Sequence, residues 1–538
     1  MKAFYPFCVC LFLSRAALAA NFGVIATPSP QATAAGERVL KAGGTAADAA
    51  IAAALVLGVV APESSGLGGG GVFLYYNKSQ NQFSDFDYLE SLPSDAVVSQ
   101  KNSEAITLVG VPGVVAGFEK IHERFGKLPW NTLFDEAIQL ADDGFLPSAA
   151  WRARLQQVAE GSFGDDDFRS FFGDVWISDD APLKQEALAD TLKTIRDQGA
   201  TAFYRGVLNE KILKELSEKK STLSAAEWNF YDVLVGVPTQ FYFKNLKITV
   251  PAESTQGGVF LDELLRAVRV AKIKSTDSGF PHFIEKSVRK FFTAVPTLQK
   301  VPSIKSGYGV QISVVDAQGN MASVQNTLHG YFGSGVYLKE TGLLLNATGL
   351  QPRVAELLKA DTVFNLGSRQ KRSVDFLLPV IMTRGFDESF VFGTSGGVTA
   401  PQNLFQIIYK MQSEQQALAA AIKAPKFYHL PNEKQNLYEK KFPAKQLKAK
   451  LDAPVQLSPF EIGRVEAVEV SRGQVRVVDD LRQDRAVKVP QRKIKTVHQK
   501  AQEKEIKKEN SAPSPAPAAV APEAKALPDT PSLTTHSR

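Results

Sequence analysis

The stretch "GVQISVVDAQGNMASVQNTL", Gly309 to Leu328, constrains the fold most. Gly309–Asp316 is apolar and β-branched, Ala317-Gln318-Gly319-Asn320 has turn chemistry, and Met321–Leu328 runs back. That pattern predicts an antiparallel β-hairpin. Hairpins of this kind often carry an active-site residue at a strand end. The residue that opens this strand, Gly309, has no side chain.

Around the hairpin the chain alternates helices and strands. "TAADAAIAAALVLGVVAP" reads as a buried helix with Thr45 as N-cap, Asp48 three residues on and Pro62 as its stop. "GGVFLYYN" reads as a strand. "GVPGVVAGFEKIHERFG", "NTLFDEAIQLADDGF" and "QEALADTLKTIRDQG" read as amphipathic helices, the first two ended by Gly126 and Gly144. Further on come strands at "FLLPVIM" and "SFVFGT", a helix at "APQNLFQIIYKMQ" and a hairpin around Arg472-Gly473. No internal repeat is present. Helices on both sides of antiparallel hairpins predict a layered α/β sandwich.

The two ends differ from this body. "MKAFYPFCVCLFLSRAALAA" has a Lys, an apolar run and an Ala17-Leu18-Ala19 end, the pattern of a secretory signal peptide over 1–20. Both cysteines, Cys8 and Cys10, lie in it, so the chain left after its removal has no disulfide, Cys nucleophile or thiolate metal site. No later run is long and apolar enough for a transmembrane anchor. The expectation is an exported protein, periplasmic or extracellular. Residues 488–538 are charged at first and then rich in Pro, Ala and Ser, a composition that cannot offset the entropy of ordering. They are expected to be a disordered tail, and their basic excess allows contact with an anionic cell envelope. The whole chain carries +6, but leader and tail hold that excess and leave the body near neutral. Nucleic acid is therefore not expected as a partner.

Read residue by residue, the remaining chemistry is sparse. "SGLGGGG", Ser65 to Gly71, lacks the Lys-Ser/Thr of a phosphate loop and leads into a strand, so a tight glycine turn with close backbone approach is expected there. The histidines show no metal-ligand spacing, and neither metal nor cofactor is expected. No Gly-x-Ser-x-Gly elbow occurs. Gly396-Gly397, at the start of a helix, could present backbone N–H groups to an oxyanion.

Taken together, ordered segments over nearly the whole body resemble the γ-glutamyltranspeptidase (glutathione hydrolase) family. They are "GERVLKAGGTAADAAIAAALVLGVVAPESSGLGGGG", "VPGVVAGFEKIHERFGKLPWNTLFDEAIQLADDGF", "LADTLKTIRDQGATAFYRG", "VPAESTQGG", "ISVVDAQGN", "FGSGVYLKETGLLLN", "GTSGG" and "APKFYH". The resemblance implies a four-layer αββα sandwich of the N-terminal-nucleophile hydrolase type over 21–487. It also implies a precursor that cuts itself in the middle, so that a Thr becomes the new N-terminus. The hydroxyl of that Thr attacks the γ-glutamyl amide and its free amine acts as base.

This chain departs from that pattern where the chemistry lies. The family writes Thr-Thr-His-x-Ser-Val-Val-Asp; here Gly309 stands at the nucleophile, in Gly309-Val310-Gln311-Ile312-Ser313-Val314-Val315-Asp316. The carboxylate-clamping Arg of Asp-Tyr-Arg-Glu is Leu89, which cannot make a charged bidentate pair. The Thr-Leu-Asn element reads Thr327-Leu328-His329. The segment Asn-Asn-x-Met-Asp-Asp reads Asn346-Ala347-Thr348-Gly349-Leu350-Gln351, with Gln351 in place of the acid that receives the substrate ammonium. The serine pair is replaced by Asp375-Phe376, while Thr327 and the oxyanion-type Gly396-Gly397 remain. The stretch from Gly258 to Gly309 is shortened as well.

The reading is a chain that stays uncleaved, with a large-subunit-like part at 21–308 and a small-subunit-like part at 309–487, without catalysis and serving as a binding or scaffold protein for an unidentified ligand or partner. The alternative is an amidohydrolase with changed chemistry, using Ser306 or Ser303 as nucleophile on a different substrate.

Overall fold

The computed structural model describes residues 22–93, 105–159, 163–173, 175, 182–252, 255–295, 298, 309–350, 372, 374–448, 450–458 and 462–480. The expected leader and tail, Ser303, Ser306 and Gln351 lie outside these residues. The chain divides into two units, Met1–Lys488 and Val489–Arg538, and every described residue belongs to the first.

The hairpin forms as the sequence predicts. Strand β7 (Val310–Asp316) pairs antiparallel with β8 (Met321–Thr327), in the register Val310↔Asn326 to Val315↔Met321. Its turn is held by Asp316, whose carboxylate accepts the N–H groups of Gln318 (3.0 Å) and Asn320 (2.9 Å). Gly319 supplies the positive φ, +82°, that the turn requires. The same carboxylate accepts Ala46 N–H at 2.9 Å, so the turn also ties down the start of the helix Ala46–Val60.

Around the hairpin, β1 (Gly23–Ala26), β2 (Gly70–Asn77), β3 (Gln82–Asp87) and β4 (Leu234–Gly236) complete a six-stranded antiparallel sheet in the order β1-β7-β8-β2-β3-β4. A second six-stranded sheet has β5 (Thr239–Phe243), β6 (Leu246–Val250), β11 (Val380–Arg384), β12 (Glu388–Thr394), β16 (Val465–Ser471) and β17 (Gln474–Val478) in the order β17-β16-β12-β11-β6-β5. Two small sheets complete the strands: β9 (Tyr337–Leu338) with β10 (Leu343–Leu344), and β13 (Phe427–Leu430), β14 (Gln435–Tyr438) and β15 (Val455–Leu457). "FLLPVIM" enters its strand later than expected, at Val380. The backbone before it is satisfied by other means: Leu378 N–H donates to Gln325 Oε1 at 2.6 Å and Asp375 C=O accepts Gln256 N–H at 2.7 Å.

Each sheet carries helices on its outer face. Helices Pro30–Lys41, Ala46–Val60, Val114–Phe125, Asp135–Asp143 and Glu186–Gln198 share one apolar core with Val310, Ile312, Val314, Ala322 and Val324. Helices Gln256–Ala271, Phe280–Ala294 and Ala400–Ser413 share another with β6, β11 and β12. Helix Ala46–Val60 shows why the layers fit. Its N-terminus is closed by the expected capping box, Thr45 with Asp48, and it is apolar all round because it is buried on every side. Its many alanines let Pro30–Lys41 approach so closely that a β-carbon at Gly36 would stand 3.3 Å from Ala49 C=O.

The inner faces of the two sheets meet through polar as well as apolar side chains. Val24, Leu74, Val315 and Met321 pack on Ile381, Val391 and Val468. Nearer the opening of β7, buried hydrogen bonds cross the gap: Ser313 Oγ to Glu466 C=O (2.8 Å), Ser323 Oγ to Phe392 C=O (3.2 Å) and Gln325 Nε2 to Thr394 C=O (2.9 Å). These fix the register of one sheet on the other, because a slipped pairing would leave buried donors unmade at about 1–3 kcal/mol each. The architecture is the αββα sandwich.

Candidate functional site

Gly309 lies at the entrance of β7 with φ +86°, a left-handed conformation that L side chains avoid. A β-carbon there would stand 2.6 Å from Asn326 C=O, on the neighbouring strand. The absent side chain therefore matches a backbone that leaves no room for one. Asn326 is itself fixed, since its Oδ1 accepts the buried Tyr88 hydroxyl at 2.6 Å.

Tyr88 opens the Tyr88-Leu89-Glu90 segment, which glycines hold against β2 and β8. β-Carbons at Gly69, Gly70 and Gly71 would stand 2.3 Å from Thr327 C=O, 2.8 Å from Leu89 Cα and 2.3 Å from Gln325 C=O respectively. The glycine run is thus the close-approach turn expected from the sequence. Asn346 staples it from the other side, with Nδ2 donating to Gly68 C=O (2.8 Å) and Gly110 C=O (2.9 Å). Thr348 is buried beside it, its methyl against Gly110.

Leu89 fills its position with carbon. It is fully buried and packs with Val72 and Leu377. A guanidinium is nevertheless present: Arg372, from a distant part of the chain, is 1% exposed and donates to Leu89 C=O and, at 2.9 Å, to the Tyr231 hydroxyl. Its guanidinium carbon lies 4.8 Å from the centre of the Tyr231 ring. Burial opposes its charge, but Tyr231 and Asp87 outweigh this and raise its pKa.

His329 is the centre of the site. Its Nε2 lies 2.7 Å from Glu90 Oε2 and its Nδ1 3.0 Å from Asp375 Oδ2, with all three side chains nearly or fully buried. Burial alone would lower the imidazole pKa; Glu90, joined by Asp375, pushes it up to about 10. His329 is therefore an imidazolium at neutral pH, donating from both nitrogens. Thr327 Oγ1 accepts the His329 N–H at 2.9 Å and holds the turn after β8. Asp375 Oδ1 accepts Leu377 N–H at 2.6 Å. Among the described residues, Glu90 Oε1 and Asp87 Oδ2 are buried without a hydrogen-bond partner.

Of the positions singled out in the sequence, Leu89, Thr327, His329, Thr348 and Asp375 come together here around Gly309 and β8. Phe376 does not join them. Its ring lies 5.8 Å from Phe292 and 6.3 Å from Phe260, in the core of the second sheet. Gly396 (φ +138°) and Gly397 (φ +52°) form the bend after β12. A 3₁₀ turn, Gly397–Thr399, intervenes before the helix Ala400–Ser413, and Gly396 C=O accepts the Thr399 N–H (3.0 Å) and hydroxyl (2.8 Å). Glu90, Arg372 and Tyr231 were not singled out from the sequence. Glu90 adjoins Leu89 in the quoted motif and was findable there; Arg372 and Tyr231 carry no local signal. Among the described residues no group of His, Cys, Asp or Glu is arranged to hold a metal ion, and no helix is long and apolar enough to cross a membrane.

Comparison with known proteins gives the family and the fold. The family profile "Gamma-glutamyltranspeptidase" matches residues 32–295 and 287–489, nearly the whole body. The chain belongs to the γ-glutamyltranspeptidase family. It is 28% identical over 538 aligned positions to the glutathione hydrolase proenzyme of Pseudomonas aeruginosa, covering 87% of this chain and 95% of that protein. It is 29% identical to the capsule biosynthesis protein CapD proenzyme of Bacillus anthracis, covering 72% and 75%. Among solved structures, cephalosporin acylase from Bacillus halodurans superposes with a TM-score of 0.74 at 22% identity, covering 90% of this chain and 98% of that one, a likeness of fold.

Proposed function

We propose that this γ-glutamyltranspeptidase-family chain is an exported, non-catalytic member that remains uncleaved and acts by binding. One observation carries the reading. At the position the family gives to its nucleophile, this chain has a glycine whose φ of +86° and 2.6 Å approach to Asn326 C=O leave a side chain no unstrained place. Glycine has no hydroxyl, so neither self-cleavage nor an acyl-enzyme can form through it. Leu89 and the His329 ion pairs support the same reading, because carbon and an internal cation stand at pocket positions. Export rests on the leader sequence, and contact with an anionic envelope on the basic tail.

The test is to express the full chain with its leader, then run a denaturing gel and assay glutamate release from glutathione and a γ-glutamyl anilide. One exported species and no release are expected. Two co-purifying fragments with a new N-terminus near residue 309 would overturn the reading, as would glutamate release that is lost in Ser306→Ala.

A further inference from the structure

The Glu90–His329–Asp375 arrangement does more than record the loss of an enzyme. It places a cation between two carboxylates at pocket positions. The ring nitrogens lie 2.7 and 3.0 Å from carboxylate oxygens, and the side chains of Glu90, His329 and Asp375 are 0%, 1% and 10% exposed. The backbone of His329 is left-handed, φ +61°, a conformation unfavourable for a non-glycine residue that persists only where its surroundings enforce it. The hydrogen bond from His329 N–H to Thr327 Oγ1 is one such constraint. Arg372 adds a second buried cation, a guanidinium, beside Leu89, and Glu90 Oε1 and Asp87 Oδ2 are buried without hydrogen-bond partners. The two carboxylates that could attract an ammonium group are thus already engaged by a cation of the chain itself.

We infer that His329 is the specificity-determining residue of this pocket: its ring is a built-in cation that occupies the Glu90–Asp375 pair and excludes ligands recognised through a free ammonium group, amino-acid zwitterions foremost. The inference rests on the non-catalytic reading of the same site. An incoming ammonium would have to displace the imidazolium or sit beside it. Beside it, the repulsion of the imidazolium offsets the pull of one carboxylate, and the carboxylate oxygens that face the ring are already engaged. A ligand for this site is therefore one without an ammonium group, held by shape and by neutral or anionic contacts.

The experiment uses the full chain, with binding followed by calorimetry and by thermal midpoint. Wild type should show no binding of L-glutamate. His329→Ala should melt lower than wild type and regain midpoint with imidazole, which refills the gap between the carboxylates. The Glu90→Gln/His329→Ala double variant should lose most of that response, by about tenfold or more in imidazole affinity. A folded His329→Ala that ignores imidazole overturns the inference. Should that variant not fold, ¹⁵N chemical shifts of the wild-type ring decide: both nitrogens in the imidazolium range near pH 8 support the inference, and a neutral tautomer overturns it. Glutamate binding by wild type without turnover overturns only the role of His329. Turnover of glutathione overturns the non-catalytic reading itself.

Discussion

A β-carbon placed on Gly309 would stand 2.6 Å from the carbonyl oxygen of Asn326. Gly309, just before β7, and Asn326, the register partner of Val310 on β8, are therefore matched to each other, so replacing the glycine is a backbone problem before it is a chemical one. Gly309→Thr is expected to stay uncut, to release no glutamate and to lose about 1–3 kcal/mol of stability, the usual cost of a side chain in a sparsely populated conformation. Gly309→Ala should lose a similar amount, because strain and contact both begin at the β-carbon. Denaturant melts, a gel and a glutamate assay check this. Robust turnover from Gly309→Thr would show that β7 relaxes and that the pocket is intact.

The His329 imidazolium links stability to pH. Its pKa rises from 6.5 in the unfolded chain to about 10 in the folded one. Below the lower value both states hold the proton and its full stabilisation is present. As pH rises through the window the unfolded chain sheds its proton first, so stability falls by about 1.4 kcal/mol per unit of pH until the folded pKa is passed. Glu466, buried and only partly relieved by Arg464, has its pKa raised to about 8 and should add a fall that begins at lower pH. Urea melts in steps from neutral to alkaline pH should show the decline. In His329→Gln the upper part should flatten, and an unchanged slope there would mean that the ring is neutral in the folded protein.

Much of this was legible in the sequence, because the signals were local. The hairpin followed from β-branched runs around a four-residue turn, the capping box from the spacing of Thr45 and Asp48, and the glycine turn from the lack of any phosphate-loop Lys. The missing side chain at the entrance of β7 was legible at Gly309 itself. What the sequence did not disclose was long-range. Glu90 and His329 are 239 positions apart, and Arg372 reaches Leu89 across 283. No periodicity links such residues, and only the folded sheets bring them together. His329 read as a replaced asparagine and Asp375 as a replaced serine, and nothing in the sequence showed that together with Glu90 they form one hydrogen-bonded ion-pair group. Phe376 shows the converse: next to Asp375 in sequence, it points into a different core.

The composition of the tail, charged and then rich in Pro, Ala and Ser, makes it a separate case. Removing the residues after Val487 should leave the thermal midpoint almost unchanged, because that segment has no apolar periodicity with which to contribute to a core. Calorimetry of the full and shortened chains compares them directly. A drop of several degrees would mean that the tail docks on the body.

Leu89→Arg restores in name the residue that the family resemblance gives to the carboxylate clamp, and the structure says that it should fail. Leu89 is fully buried against Val72 and Leu377, so a guanidinium there would lose hydration without gaining an anionic partner among those neighbours. Burying an uncompensated charge is among the costliest single changes, and about 3–5 kcal/mol is expected here, enough to unfold a marginal protein. Arg372, already donating to Leu89 C=O, would add like-charge repulsion. The paired change Leu89→Arg/Arg372→Leu should be less damaging than Leu89→Arg alone, because it removes that repulsion and frees the Tyr231 hydroxyl to serve the new guanidinium. A double-mutant cycle on unfolding free energies measures the coupling, which should be positive and larger than about 1 kcal/mol. Additivity within about 0.5 kcal/mol would mean that the two positions do not sense each other, and that Arg372 has not taken over any part of the ground Leu89 gave up.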